Sequence, residues 1–101
     1  MTEVHALVIE CGRRVGDELP PGATGARLVC YAPGIDAEDA IAAALEVVTA
    51  AGMEPRVAAA HGTLTERRAR GEVTASERLL MDRALRTGRV IIAELRPIYP
   101  A

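Results

Sequence analysis

Short apolar runs separated by polar or glycine-rich segments predict four β-strands in this chain. Residues 4–11 (VHALVIEC) and 89–95 (RVIIAEL) are largely apolar at both odd and even positions, which point to opposite faces of a strand. Residues 27–32 and the weaker, alanine-rich run 56–61 lie between them. Strands that are apolar on both faces need cover on both sides of the sheet.

Helix start and stop signals predict two main helices and one short helix. Asp36 is a good N-cap for a first helix, which continues to the stop at Gly52. Two capping boxes follow, each with a threonine three residues before a glutamate. The first box begins a short helix that ends at Gly71, and the second begins a helix over residues 75–87 that stops at Gly88.

The order of these elements predicts the fold. Strands two, three and four are joined by helices, and helical crossovers usually connect parallel strands. We therefore predict one α/β domain over residues 1–101, with a small, four-stranded, mostly parallel sheet. The alternative is an α+β ferredoxin-like sandwich in which the first strand is antiparallel.

The predicted helices are too few to cover both faces of such a sheet. We therefore expect a homo-oligomer, most simply a dimer that packs by a sheet face or a sheet edge. Leu79 should point away from the core of its helix, and the Ile98-Tyr99 tail offers a second apolar contact.

Composition excludes some classes of function. A net charge of −2 and a pI near 5.7 disfavour nucleic acid as the main partner, and two aromatic residues make a poor stacking platform for bases. No apolar run approaches the roughly 18 residues that a bilayer span needs. We expect a cytoplasmic protein whose two cysteines are free thiols.

Candidate chemistry gathers at one predicted edge of the sheet. If the first three strands are parallel, their carboxyl ends meet there, where open α/β sheets bind ligands. Cys11 and His61 would then form a thiol–imidazole pair, with the imidazole activating the nucleophile. Loop backbone, helix N-termini and guanidinium groups would bind a small anion. The candidate ligand-binding residues are Arg13, Arg14, Gly34, Gly62, Thr63, Arg67 and Arg68.

Two functions from different classes follow. The leading hypothesis is a small non-enzymatic binding or regulatory module, self-associating and serving as a subunit or accessory of a larger assembly. The alternative is a small enzyme that acts on an anionic substrate through the Cys/His/Arg site. No cofactor motif is present, and neither the histidines nor the cysteines have the close spacing of metal ligands. The direction of the first strand decides whether Cys11 and His61 can meet.

Overall fold

The structure is a computed structural model that describes residues 1–14, 16 and 18–100. Its strands are β1 (Glu3–Gly12), β2 (Gly25–Gly34), β3 (Glu54–Thr63) and β4 (Ile91–Ile98). Its helices are α1 (Ala37–Ala50), α2 (Leu64–Ala69) and α3 (Ala75–Thr87). The order of the elements agrees with the predicted one, and the first three strands extend beyond their predicted bounds at both ends.

The predicted parallel sheet is wrong, because every pair of neighbouring strands is antiparallel and the fold is α+β. The strand order is β3-β1-β2-β4. β2 and β3 do run in the same direction, as a helical crossover requires, but β1 lies between them. The ferredoxin-like alternative differs from the structure as well, because helices lie on both faces of this sheet and not on one.

The first face of the sheet, which we call the α1 face, is covered along the two central strands, β1 and β2. Its apolar side chains come from alternate positions of β1 and β2, such as Leu7, Ile9 and Leu28, and pack against the stripe of α1. That stripe consists of Ala40, Ala44 and Val48. Loop residues Leu19 and Ala23 join the same cluster, so the segment between β1 and β2 also covers this face.

The opposite face, which we call the α3 face, is covered over only part of its length. Val4, Ala6 and Tyr31 are buried beneath α2 and α3, where Met81 and Ala84 are fully enclosed. Farther along the same strands Val8 and Val29 are half-buried, while Glu10 and Arg27 are exposed. One end of this face therefore remains open.

The predicted N-caps are present, but of the two predicted capping boxes only the one at Thr63 is reciprocal. The side chain of Asp36 accepts a hydrogen bond from Asp39 N at 2.8 Å, and Thr74 Oγ1 accepts one from Glu77 N at 3.2 Å. Gly88 ends α3 in the left-handed conformation, with φ of 69°. The capping side chains satisfy helix N–H donors that would otherwise lack partners, which fixes where each helix begins.

A substitution at Gly34 would test how closely α1 packs on the sheet. A Cβ at this position would lie 2.6 Å from Ala40 N and 3.0 Å from Ala40 Cα, both of them backbone atoms of α1. We predict that Gly34→Ala lowers the free energy of unfolding by about 1–3 kcal/mol, as overpacking typically does. Urea denaturation would measure the change.

Gly12→Ala is the matched control for this substitution. Its added Cβ would meet the guanidinium end of Arg56, which is a flexible side chain that can move aside. We expect a smaller loss of stability. Equal losses in the two variants would show that close packing at Gly34 has no special cost.

Candidate functional site

The predicted Cys11–His61 pair does not form. Cys11 lies on the α1 face, and its partner on the neighbouring strand β3 is Pro55. His61 lies six residues after Pro55 along β3 and lines a cavity on the α3 face. The two side chains are separated by the sheet and by about 20 Å of strand. Burial also raises the pKa of the Cys11 thiol, which keeps it protonated and poorly nucleophilic.

Arg13 has a structural role at the same end of the sheet as Cys11. Its guanidinium group donates hydrogen bonds to the carbonyl oxygens of Leu19 at 3.2 Å, Pro20 at 3.0 Å and Ala23 at 3.1 Å. These bonds hold the loop that covers the α1 face. Arg14 follows Arg13 and also interacts with its surroundings. The two arginines come after the end of β1 that is opposite the end paired with Gly34.

Gly34, Gly62 and Thr63 lie together at the opposite end of the sheet. His5 Nε2 is 3.2 Å from the carbonyl oxygen of Gly34, which gives this buried histidine a structural contact. Gly62 has φ of 104°, a conformation that favours glycine. Thr63 caps α2 reciprocally with Glu66, at 3.1 Å and 2.9 Å, and these bonds lower the pKa of Glu66. The cap uses N–H donors that an anion would need.

The two predicted arginines of α2 point in different directions. Arg68 is exposed, whereas the side chain of Arg67 is only 16% exposed and turns towards α3. Its guanidinium group lies 3.1 Å from a carboxylate oxygen of Glu77 and 3.5 Å from one of Glu72. It also donates to the carbonyl oxygen of His61 at 3.5 Å. Arg67 therefore ties α2, α3 and the end of β3 together.

Arg67 and His61 line a cavity of about 320 Å³. A second cavity of about 250 Å³ shares three lining residues with it, and we call the two together the open-face cleft. Its floor is the uncovered part of the α3 face, and one wall is formed by α2 and α3. The larger part is lined by Ala6, Leu7, Val8, Arg27, Val29, Tyr31, His61, Arg67, Glu77 and Glu94. The smaller part shares Arg27, Val29 and Glu94 with it and is completed by Arg96.

Tyr31 places a phenol at the inner end of the open-face cleft. It is 4% exposed, and burial is the largest cause that raises its pKa. Glu77 and Glu94 raise this pKa further, while Arg67 opposes them. At neutral pH the hydroxyl group therefore keeps its proton and is available as a hydrogen-bond donor.

Two charged strand residues stand at the outer end of the open-face cleft. Arg27 on β2 and Arg96 on β4 are directly opposite in register, so both side chains lie on the α3 face. Arg96 pairs with Glu94 on its own strand at 3.0 Å. The guanidinium group of Arg27 forms no hydrogen bond or ion pair with any residue in the part of the chain that the structure describes.

Sequence reasoning identified His61 and Arg67 but missed Tyr31, Arg27, Glu77 and Glu94 as members of one site. The alternation of β2 does place Arg27, Val29 and Tyr31 on one face, and this signal was available. The position of Glu94 beside Val29 depends on the pairing of β2 with β4 and on an irregularity in that pairing. No local pattern indicates either feature.

The fold and the cleft define a small α+β domain with helices on both faces of an antiparallel sheet. The family described as a domain of unknown function (DUF8846) matches residues 4–99, and the chain belongs to this family. The matched range includes every residue that lines the open-face cleft. No curated protein and no solved structure matches the chain.

The described part of the chain, residues 1–14, 16 and 18–100, lacks two further features. None of its helices has the length and apolar character to cross a membrane. It also contains no cluster of three or more histidine, cysteine, aspartate or glutamate side chains in positions to hold a metal ion. Cys11 and Cys30 are both buried and free.

The raised pKa of Tyr31 predicts a pH dependence of stability. Above the ordinary tyrosine value of about 10, the unfolded chain loses this proton while the folded chain retains it. The folded state then binds more protons, so the free energy of unfolding falls as the pH rises through this window. We predict that Tyr31→Phe makes this fall shallower in urea titrations from about pH 9 upward.

Tyr99→Phe is the control, because this tyrosine lies exposed in the tail. Burial also raises the pKa of Cys30 to about 11, so the thiol adds to the fall in every variant. The informative quantity is therefore the difference between the two variants. A Tyr31→Phe curve as steep as that of the Tyr99→Phe protein would contradict the proposed environment of Tyr31.

Proposed function

We propose that this protein is a small non-enzymatic binding module and that the open-face cleft is its binding site. The observation that supports this function is the incomplete cover of the α3 face. Val8 and Val29 stay half-buried there, beside a buried tyrosine and several charged side chains. Ligand sites commonly combine an apolar floor with a few converging polar groups in a concavity of about 300–1,000 Å³.

The geometry favours binding over the proposed enzyme reaction. The thiol and the imidazole of that mechanism lie at opposite ends and on opposite faces of the sheet. Within the open-face cleft, Arg67 is engaged by Glu77 and Glu72, and Tyr31 remains protonated at neutral pH. These groups are suited to orienting a ligand by hydrogen bonds and charge. We infer a cytoplasmic location, which the two free cysteines support.

A fragment screen by ¹H–¹⁵N correlation NMR on the whole chain tests this function. We predict that bound fragments shift the amide resonances of Ala6, Val8 and Val29, which lie on the floor of the open-face cleft. Val8→Arg should abolish these shifts, because it places a long charged side chain on the floor. The control is Val47→Arg on α1, another partly exposed valine that lies outside the cleft.

Two results would overturn the proposal. One is a screen in which no fragment shifts the floor amides, and the other is equal loss of binding in the two valine variants. Both variants are first compared with the wild-type chain by their amide spectra, so that only folded proteins enter the comparison.

We also propose that the module self-associates and that two copies pair through β3. Within the described sheet β3 contacts β1 alone, and its outer edge carries the small apolar run Val57 to Ala60. Natural edge strands are usually protected by charge, proline or a bulge. The other edge strand, β4, has such protection in Glu94, Arg96 and Pro97, whereas the charges and the proline of β3 are confined to Glu54, Pro55 and Arg56, before the apolar run. A second copy of the chain is a suitable partner, because a two-fold axis can place the β3 strands of two copies side by side in antiparallel orientation.

Light scattering across a concentration series tests the pairing. An edge of one strand is smaller than the standard interface of about 800 Å² per partner, so we predict a dimer that dissociates on dilution. Val57→Lys should give a monomer, because Val57 is 57% exposed beside this edge and lysine disfavours edge pairing. Leu79→Lys on α3 is the matched control, since Leu79 is 61% exposed.

A monomer at all accessible concentrations would contradict self-association. A dimer that Leu79→Lys disrupts and Val57→Lys does not would place the interface on α3 instead of β3.

A further inference from the structure

We propose that the open-face cleft binds an amphipathic anion, with the acidic group between Arg27 and Arg96 and the apolar body along Val8 and Val29. This inference rests on the proposed binding function and names its ligand class.

The first argument is the register of the two arginines. They are directly opposite on neighbouring strands, where Cβ atoms are about 4.5–5.5 Å apart and like charges destabilise the pairing. Two groups offset part of this repulsion: Glu94, which pairs with Arg96 through side chains that are 49% and 77% exposed, and Glu10, which lies opposite Arg27 on β1. Exposed pairs contribute little, so a repulsion remains that a bound anion would relieve.

The second argument is the distribution of the remaining charges. Arg67 is already paired with Glu77 and Glu72, and Arg96 with Glu94. The guanidinium group of Arg27 is left without a hydrogen bond or an ion pair among the described residues, although Glu10 lies opposite Arg27 on β1. A guanidinium group suits a carboxylate or a phosphate because it offers parallel N–H donors.

The third argument concerns the apolar part of the ligand. Val8 and Val29 are directly opposite on β1 and β2 and form a continuous apolar strip on the α3 face. The strip runs from the arginines towards Tyr31, in a cavity of about 320 Å³. A ligand with an acidic head and a short apolar body would contact both features at once.

Three probes separate the contributions of charge and apolar body. Octanoate has both an acidic head and a chain, octylamine has the same chain with a positive head, and inorganic phosphate has negative charge alone. In amide NMR titrations of the whole chain, octanoate should shift Val8, Arg27 and Val29 in a saturable way. Octylamine and phosphate should produce no saturable shifts at these amides over the same concentration range.

Two substitutions with opposite expected effects on octanoate affinity test the role of charge. Arg27→Gln should weaken octanoate binding about tenfold, as expected for loss of a charged hydrogen bond. Glu10→Gln should strengthen it, because the glutamate opposite Arg27 repels an anion. Arg83→Gln, an exposed substitution on α3 outside the cleft, should leave the affinity unchanged.

Each negative result bears on a different part of the proposal. If octylamine binds as well as octanoate, or if Arg27→Gln has no more effect than Arg83→Gln, the anion inference is overturned while the binding function stands. Fragments that occupy the cleft while octanoate does not would lead to the same conclusion. If neither octanoate nor any fragment shifts the cleft amides, both the inference and the proposed function are overturned.

Discussion

The antiparallel pairing of β1 with β2 determines most of this structure. The two strands are in continuous register from Glu3 opposite Gly34 to Gly12 opposite Gly25, and both are flanked by a further strand. Side chains from this central pair enter both apolar clusters, one beneath α1 and one beneath α3. A shift of one residue would exchange the two sets of side chains, so the packing of both faces fixes the register.

The two faces are covered unequally, and the open-face cleft is a consequence of that difference. On the α1 face, loop residues Leu19 and Ala23 add to the cover that α1 provides, and Arg13 holds this loop in place through three carbonyl groups. The α3 face has no corresponding loop in the described structure. Its helices are anchored at one end by Arg67, where the contacts with Glu72 and Glu77 offset part of the cost of removing charge from water.

Local signals in the sequence were sufficient to predict the helices and strands, but not which strands become neighbours in the sheet. Caps at Asp36, Thr63 and Thr74 fixed the helix starts because a cap depends only on residues within one turn. Strand direction depends on which strands become neighbours, and here β1 separates β2 from β3 although a helix connects them. The same limit applied to the site. His61 and Arg67 are close in sequence and were predicted together, whereas Arg27 and Arg96 meet only through the pairing of β2 with β4.

The placement of the cleft on strands also bears on how binding would act. Arg27, Val29 and Val8 lie on the central strands, whose neighbours restrict movement of the backbone. Sites on such elements hold their geometry better than sites on loops and need little rearrangement to bind. A ligand bound here would therefore leave the fold largely unchanged. It would cover charged and apolar side chains that lie next to the edge strand β3. Because Ala59 pairs with Val8 and Val57 pairs with Glu10, the exposed edge adjoins this same floor. A bound ligand and a second copy of the chain would then lie on neighbouring strands of the sheet.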